Sequence, residues 1–450
     1  MMFKASGSNR ETVMLFLVVL LAVFRFSYFE FQYIPYLDDY IQYSFYPSYP
    51  NPWQNILTGG AGVLFTRPLA GLLDFFVWSR FYDNLGVIAF VISLLYGFSG
   101  VFFYKAFKKC GIMAGPVFFA VFLFLPVNIE GTYWISASTR IVVSMFLISA
   151  ALFAETNGRT VIFLLLNFLS MWFYEQTAIL AFFAAALVGF QKKSPKILVA
   201  AVTSLVLVTV FYARFGGMGD NADRLDLSGI NEIPQNILQT TREFLSVLGK
   251  VNFKISTKGF ARGFSIIARE FSILWISALA LQCIGFLNLS QGSESGVGKT
   301  KKHLFAGAVL TVVPLIPFFI TQGAGFNLRN IVPCLLGLGL LADSLAQLLL
   351  KKYTAMVAAL LIFCFSVSAV SEVRDYNFTA RRDSELASKI AHQVSADTKS
   401  VGVRITTPKY YEQNVPYKDH IMSMTGSDWG ITGVVRTVSK NRKVVVEIKQ

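Results

Sequence analysis

The chain has 450 residues, 54% hydrophobic and 15% aromatic but only 15% charged, where soluble domains carry about 25% charged residues. With a mean hydropathy of +0.55, that balance excludes a soluble globular protein and implies many helices in contact with lipid. A formal net charge of +14 would suit a nucleic-acid binder, but the lysines lie in short gaps between apolar runs, as orientation signals do.

The first apolar run, 11–29, resembles a signal peptide, yet Arg25 and a run of aromatics replace the small-residue cleavage site, so it reads as a retained helix. Ten further runs read as spans: 85–104, 112–127, 140–154, 160–174, 176–190, 197–213, 269–289, 304–321, 331–350 and 353–370. Several are short for a ~30 Å hydrocarbon core, and the pair around Glu175 has the form of a broken or re-entrant segment. Eleven spans can be tested by parity. With Lys4 and Arg10 cytoplasmic, the clusters Lys105/Lys108/Lys109, Lys192/Lys193/Lys196, Lys299/Lys301/Lys302 and Lys351/Lys352 all fall on the same side, as the positive-inside bias requires. The C-terminus is then outside. The expected fold class is an α-helical polytopic membrane protein with interfacial outer-loop helices. It has two parts, a transmembrane domain over 1–370 and a small extracytoplasmic α/β domain over 371–450.

The outer loop 30–84 carries Asp38-Asp39 between Tyr36 and Tyr40, then Pro47, Pro50, Pro52 and Trp53, and the hinge-like Gly59-Gly60-Ala61-Gly62. Leu69, Leu72, Leu73, Phe76 and Val77 recur at helical spacing, which predicts a helix lying on the membrane surface. The loop 214–268 opens with the polar Gly216-Gly217-Met218-Gly219-Asp220. It then becomes amphipathic, with Lys250, Lys254, Lys258 and Arg262 every four residues beside Phe253, Ile255, Phe260 and Phe264. That stripe suits interfacial anchoring and equally an anionic lipid headgroup. In the tail, Ser384–Val394 reads as a short amphipathic helix, and Val401–Ile405, Gly433–Val435 and Val444–Ile448 read as strands.

Cys110, Cys283, Cys334 and Cys364 are scattered in or beside apolar runs and read as small packing residues. Gly296-Val297-Gly298-Lys299-Thr300 lacks the first glycine and the leading strand of a phosphate-binding loop. The three histidines form no zinc-binding pattern. The remaining ionisable residues gather on the outer side: Asp38, Asp39, Arg67, Glu130, Arg140, Glu175 and Arg329. Ionisable groups near or within spans default to a functional role. A carboxylate can act as general base on an acceptor hydroxyl, and arginines hold a phosphate leaving group by charge-assisted hydrogen bonds.

Four features together resemble the GT-C superfamily of integral-membrane glycosyltransferases: the acidic pair, the later Arg67-Pro68, the Tyr133-Trp134-Ile135-Ser136…Arg140 segment, and Arg329…Pro333 before a late helix. The Trp134-Ile135-Ser136…Arg140 stretch is similar to the W-I-S-x-R segment of O-mannosyltransferase relatives. The layout is closest to the Gtr-type O-antigen glucosyltransferases of bacterial inner membranes. The resemblance implies an inverting hexosyltransferase that moves a sugar, glucose favoured, from undecaprenyl-phosphate-sugar to a lipid-linked glycan acceptor such as O-antigen during lipopolysaccharide biosynthesis. It implies Asp38 or Asp39 as base, with the pair able to neighbour Mg²⁺ or Mn²⁺. Arg329, Arg140 and Arg67, with Lys258 and Arg262, become donor-phosphate contacts, and Tyr40, Trp134, Glu175 and Gln176 substrate contacts. An O-antigen polymerase and a lipid-linked glycan flippase are the alternatives. A flippase would place charges along the bundle centre and show inverted repeats.

Overall fold

A computed structural model describes residues 7–57, 60–112, 114–215, 228–229, 231–290, 300–321, 325–404 and 421–449. The chain is an α-helical membrane protein. Among the described residues five helical stretches are long and apolar enough to cross a membrane: Gly86–Lys109, Ile135–Thr156, Lys302–Ile320, Leu328–Leu350 and Thr354–Ala391. Shorter apolar helices pack between them. The Gly216–Asp220 stretch, the Gly296–Lys299 segment and Ile405 lie outside the described residues.

α1 (Gly7–Phe24) leads into the loop 30–84, which holds the short turns α2 (Asp38–Tyr40) and α3 (Pro52–Leu57) and then α4 (Pro68–Phe76). α4 buries Ala70, Gly71, Asp74 and Phe75 and exposes Phe76, so the surface helix read from the leucine spacing is present but half embedded in protein. α5 (Gly86–Lys109) and α6 (Pro116–Phe124) follow. Pro126 then stops the helix, because it has no N–H to give the carbonyl four residues back. Inside a bilayer that carbonyl must still be satisfied, and the Tyr96 hydroxyl donates to Phe122 O. Leu123 O accepts from the Arg25 guanidinium at 2.5 Å. Arg25, 2% exposed, also reaches Asn128 Oδ1 at 3.0 Å and Thr132 Oγ1 at 3.1 Å. It therefore splints the break through the single turn α7 (Ile129–Thr132).

α8 (Ile135–Thr156), α9 (Thr160–Ser170), α10 (Glu175–Gln191) and α11 (Pro195–Phe215) continue the bundle. The outer segment α12 (Ile233–Ser246), α13 (Asn252–Lys254) and α14 (Phe260–Arg269) is joined by wide π-type turns over Val247–Val251 and Ile255–Gly259. The wide turns break the four-residue register of the lysine stripe. α15 (Ile273–Ser290), α16 (Thr300–Val312), α17 (Ile316–Ile320), α18 (Leu335–Leu349) and α19 (Thr354–Ala391) complete the membrane part.

α19 overturns one expectation. It runs unbroken for 38 residues, about 57 Å at 1.5 Å per residue, so the helix expected separately at Ser384–Val394 is its outer end. Residues 370 and 371 are joined by continuous helix, with no linker between membrane part and tail. In the tail, β1 (Ser400–Arg404) pairs in parallel with β2 (Val445–Lys449), matching two expected strands. Gly433-Val434-Val435 is helical, inside α20 (Asp428–Ser439), and not the expected strand. Its valines are buried, so helical packing decides over β propensity.

The helix ends sort into two faces. At one, Lys108 pairs with Glu11 at 2.6 Å, Lys109 reaches Asn157 at 2.5 Å and Lys192 pairs with Glu155 at 3.1 Å. The acids and arginines singled out from sequence lie at the other.

Candidate functional site

The Asp38–Asp39 pair divides into two environments. Asp39 is completely buried. Its Oδ2 accepts from Tyr33 Oη at 2.7 Å and Tyr36 N at 2.9 Å; its Oδ1 accepts from Ser136 N at 2.9 Å and Ser136 Oγ at 2.5 Å. Tyr33 Oη in turn accepts from Ile135 N at 3.1 Å. The carboxylate and the phenol thus cap the first turn of α8, where free N–H groups and the helix dipole favour an anion. Burial pushes the Asp39 carboxyl up to about 7, against the pull of Ser136 and Tyr33. Asp38 is only half-buried and lies within electrostatic reach of Tyr36 and Tyr46.

Asp39 has no acceptor position left for a divalent ion. All four strong acceptor positions of Asp39 are taken by donors. No group of three His, Cys, Asp or Glu that could hold a metal exists among the described residues. The Mg²⁺ or Mn²⁺ role therefore has no support in the donor set at Asp39.

The three arginines converge. Tyr174, at the start of α10, lies within electrostatic reach of Arg67, Arg140, Arg329 and Glu175. Arg67 makes a two-pronged pair with Glu175 (Nε to Oε1 at 3.0 Å, Nη2 to Oε2 at 2.9 Å), with its guanidinium over the Tyr174 ring. Thr66 adds a hydrogen bond to Glu175 at 2.9 Å. Arg140 pairs with Asp74 at 3.4 Å, both buried. Asp74, outside the membrane-spanning helices, is raised to about 6 by burial, with the Arg140 guanidinium opposing. Arg329 differs: its guanidinium lies 5.3 Å from the Trp134 ring centre, and it forms no ion pair among the described residues. Trp134 Nε1 donates to Tyr36 O at 3.4 Å, and Tyr376 lies within reach of both Glu130 and Arg329. Arg329 therefore adjoins the acidic loop through Trp134 and Tyr376.

The other expected site residues are placed as follows. Gln176 is buried and spends its amide N–H groups on Pro314 O at 2.9 Å and Asn330 O at 3.1 Å. It closes the helix break before α17 and orders the turn that carries Arg329. Glu175 serves Arg67. Tyr40 is buried, with its carbonyl accepting from Thr437 at 3.2 Å. Arg262 is tied to buried Asp375 at 2.6 Å, so its charge is already matched. Lys258 is exposed in the wide turn over Ile255–Gly259.

The sequence does not single out Asp74, Asp375 or Tyr376, and it marks Ser136 only as part of the Trp134…Arg140 segment and Tyr33 only as an aromatic near the acidic pair. Asp74 had a signal, an acid within the apolar spacing of α4. Asp375 and Tyr376 lie beyond the apolar run 353–370 and so fall in the expected tail, whereas the structure places both inside α19. No family model, curated protein or solved structure matches the chain.

Proposed function

We propose that the protein is a membrane glycosyltransferase of GT-C type. It transfers a hexosyl group, with inversion, from a polyprenyl-phosphate donor to a hydroxyl of a lipid-linked glycan such as O-antigen. On this reading the chain has eleven spans and sits in a bacterial inner membrane. The lysine-rich face is cytoplasmic, and the acid–arginine face and the C-terminal domain are periplasmic.

The observation that carries the proposal is Arg329. Of the three arginines near Tyr174 it alone lacks a carboxylate partner among the described residues, and it lies beside the half-buried Asp38 loop. A guanidinium stacked on an aromatic face and unmatched in charge is suited to an anionic phosphate. Asp38 takes the proton of the acceptor hydroxyl as its oxygen attacks the anomeric carbon. The anomeric carbon–oxygen bond to phosphate breaks, and the lipid phosphate leaves with its new charge against Arg329. Arg67–Glu175 and Arg140–Asp74 act as neutral pairs that hold the surrounding elements. Concentration of charge at one face, with lysines at the other, favours this over a flippase.

Purified protein in lipid nanodiscs, supplied with undecaprenyl-phosphate-glucose and a lipid-linked glycan, tests the reading. Arg329→Ala should raise the donor KM about tenfold or more; an unchanged rate at limiting donor would remove Arg329 from the site.

A further inference from the structure

Leu37, immediately before the acidic pair, has φ +44° and ψ −103°, a backbone conformation that costs any residue with a Cβ and persists only where surroundings enforce it. The enforcing surroundings come from the other end of the chain. α20 lays two glycines against the residues that flank Asp38-Asp39-Tyr40. A Cβ at Gly430 would stand 2.9 Å from Leu37 Cδ1, and one at Gly433 would stand 2.5 Å from Ile41 Cγ1 and Cδ1. Thr437 Oγ1 donates to Tyr40 O at 3.2 Å, and the Tyr36 hydroxyl donates to Met422 O. The same unit is pinned to α19, where buried Asp383 accepts from Ser423 Oγ at 2.6 Å and Met424 N at 2.8 Å.

Gripped at Tyr36, Leu37, Tyr40 and Ile41, the acidic turn has little freedom of its own. We infer that α20 is a clamp: Gly430, Gly433 and Thr437 are positioning residues that hold Leu37 in its strained conformation and thereby fix the Asp38 carboxylate. This deepens the glycosyltransferase reading and rests on it for its catalytic consequence. It also separates a permanent clamp from a lid, since a lid would have to leave Leu37 and Ile41 during turnover.

The experiment uses the full chain with Cys110 and Cys364 replaced by serine. Ile41 Cβ lies 3.9 Å from where a Cβ on residue 433 would stand, within disulfide range of ~3.5–4.5 Å, so Ile41→Cys with Gly433→Cys should cross-link in the membrane. Transfer rates before and after reduction should agree within twofold. Separately, Gly433→Val should undock α20. Alkylation of an Asp38→Cys probe in that background should accelerate at least fivefold. With Asp38 intact, Gly433→Val should lower kcat at least tenfold while the donor KM stays within twofold, because Arg329 is on another element. No cross-link, an unchanged alkylation rate, or a cross-linked enzyme that is inactive until reduced would each overturn the clamp. Cross-linking and alkylation need no turnover, so a chain without transferase activity would sink the functional reading alone.

Discussion

A carboxylate that is completely buried and accepts four hydrogen bonds has little left to offer a substrate, and Asp39 is in that position, whereas Asp38 is half-buried. Asp39 joins the outer loop to the start of α8, so Asp39→Ala should cost about 3 kcal/mol of stability through stranded buried donors, read as a fall in the thermal midpoint. Asp38→Asn, an isosteric change at a half-buried position, should lower the midpoint less than Asp39→Ala does. A large loss in the Asp38 variant and none in the Asp39 variant would reverse the assignment. The pH dependence follows from burial. Asp39 is raised from 3.8 to about 7 and Asp74 from 3.8 to about 6, so both hold a proton more tightly folded than unfolded. Their contribution to stability is therefore complete in acid below about pH 4 and is lost as pH rises through those folded values. The thermal midpoint should fall from about pH 5.5 to about pH 8, and Asp39→Asn should flatten much of that slope. A midpoint rising over the same interval would contradict the burial argument.

At the scale of elements, the bundle works by breaking helices and repairing the breaks. Pro126 frees two carbonyls, which Tyr96 and Arg25 satisfy, and the chain is then aimed at Trp134 and the α8 cap. Arg25→Leu should leave Leu123 O with only the longer Asn128 Nδ2 contact at 3.3 Å and remove the donors to Asn128 Oδ1 and Thr132 Oγ1, lowering the folded yield in detergent by a shift equivalent to about 2 kcal/mol. Size-exclusion monodispersity and the thermal midpoint measure it, and a parental midpoint would remove Arg25 from that role. The outer segment docks through Gly263, where a Cβ would collide with Val367 O on α19. Gly263→Val should loosen that segment and speed proteolysis within it.

These features show what was legible in advance. Apolar run lengths located the five long apolar helices found among the described residues, because burial in lipid writes directly into composition. The Arg25 splint was not legible, since its partners are carbonyls and amides distant in sequence. Hydropathy falls at residue 370, although the backbone hydrogen bonds of α19 continue to Ala391. Gly433–Val435 read as strand because two valines follow a glycine, whereas the glycine serves close helix packing. Of the site, the residue types and their common face were readable. The division of labour between Asp38 and Asp39, and the pairing of Arg67 and Arg140 with Glu175 and Asp74, depended on contacts across the fold.

Over the whole molecule, lysine-tied ends oppose an acid–arginine face closed by the C-terminal domain. A periplasmic-active reporter fused after Gln450 should be active and a cytoplasmic one silent; the reverse would overturn the eleven-span orientation. The charge balance at the acid–arginine face also makes a prediction. Arg67 is matched by Glu175 and Arg140 by Asp74; on the proposed function Arg329 meets the anionic donor, so Arg329→Lys should recover only part of the loss in Arg329→Ala. The central claim is transfer of a sugar with Asp38 as base, and one measurement addresses it most directly. Parent and Asp38→Asn proteins in nanodiscs would receive radiolabelled undecaprenyl-phosphate-glucose and a lipid-linked glycan, with label in the glycan followed over time. The account predicts transfer by the parent and a rate at least 100-fold lower for the folded Asp38→Asn variant. Equal transfer by both, or none by the parent, would contradict it.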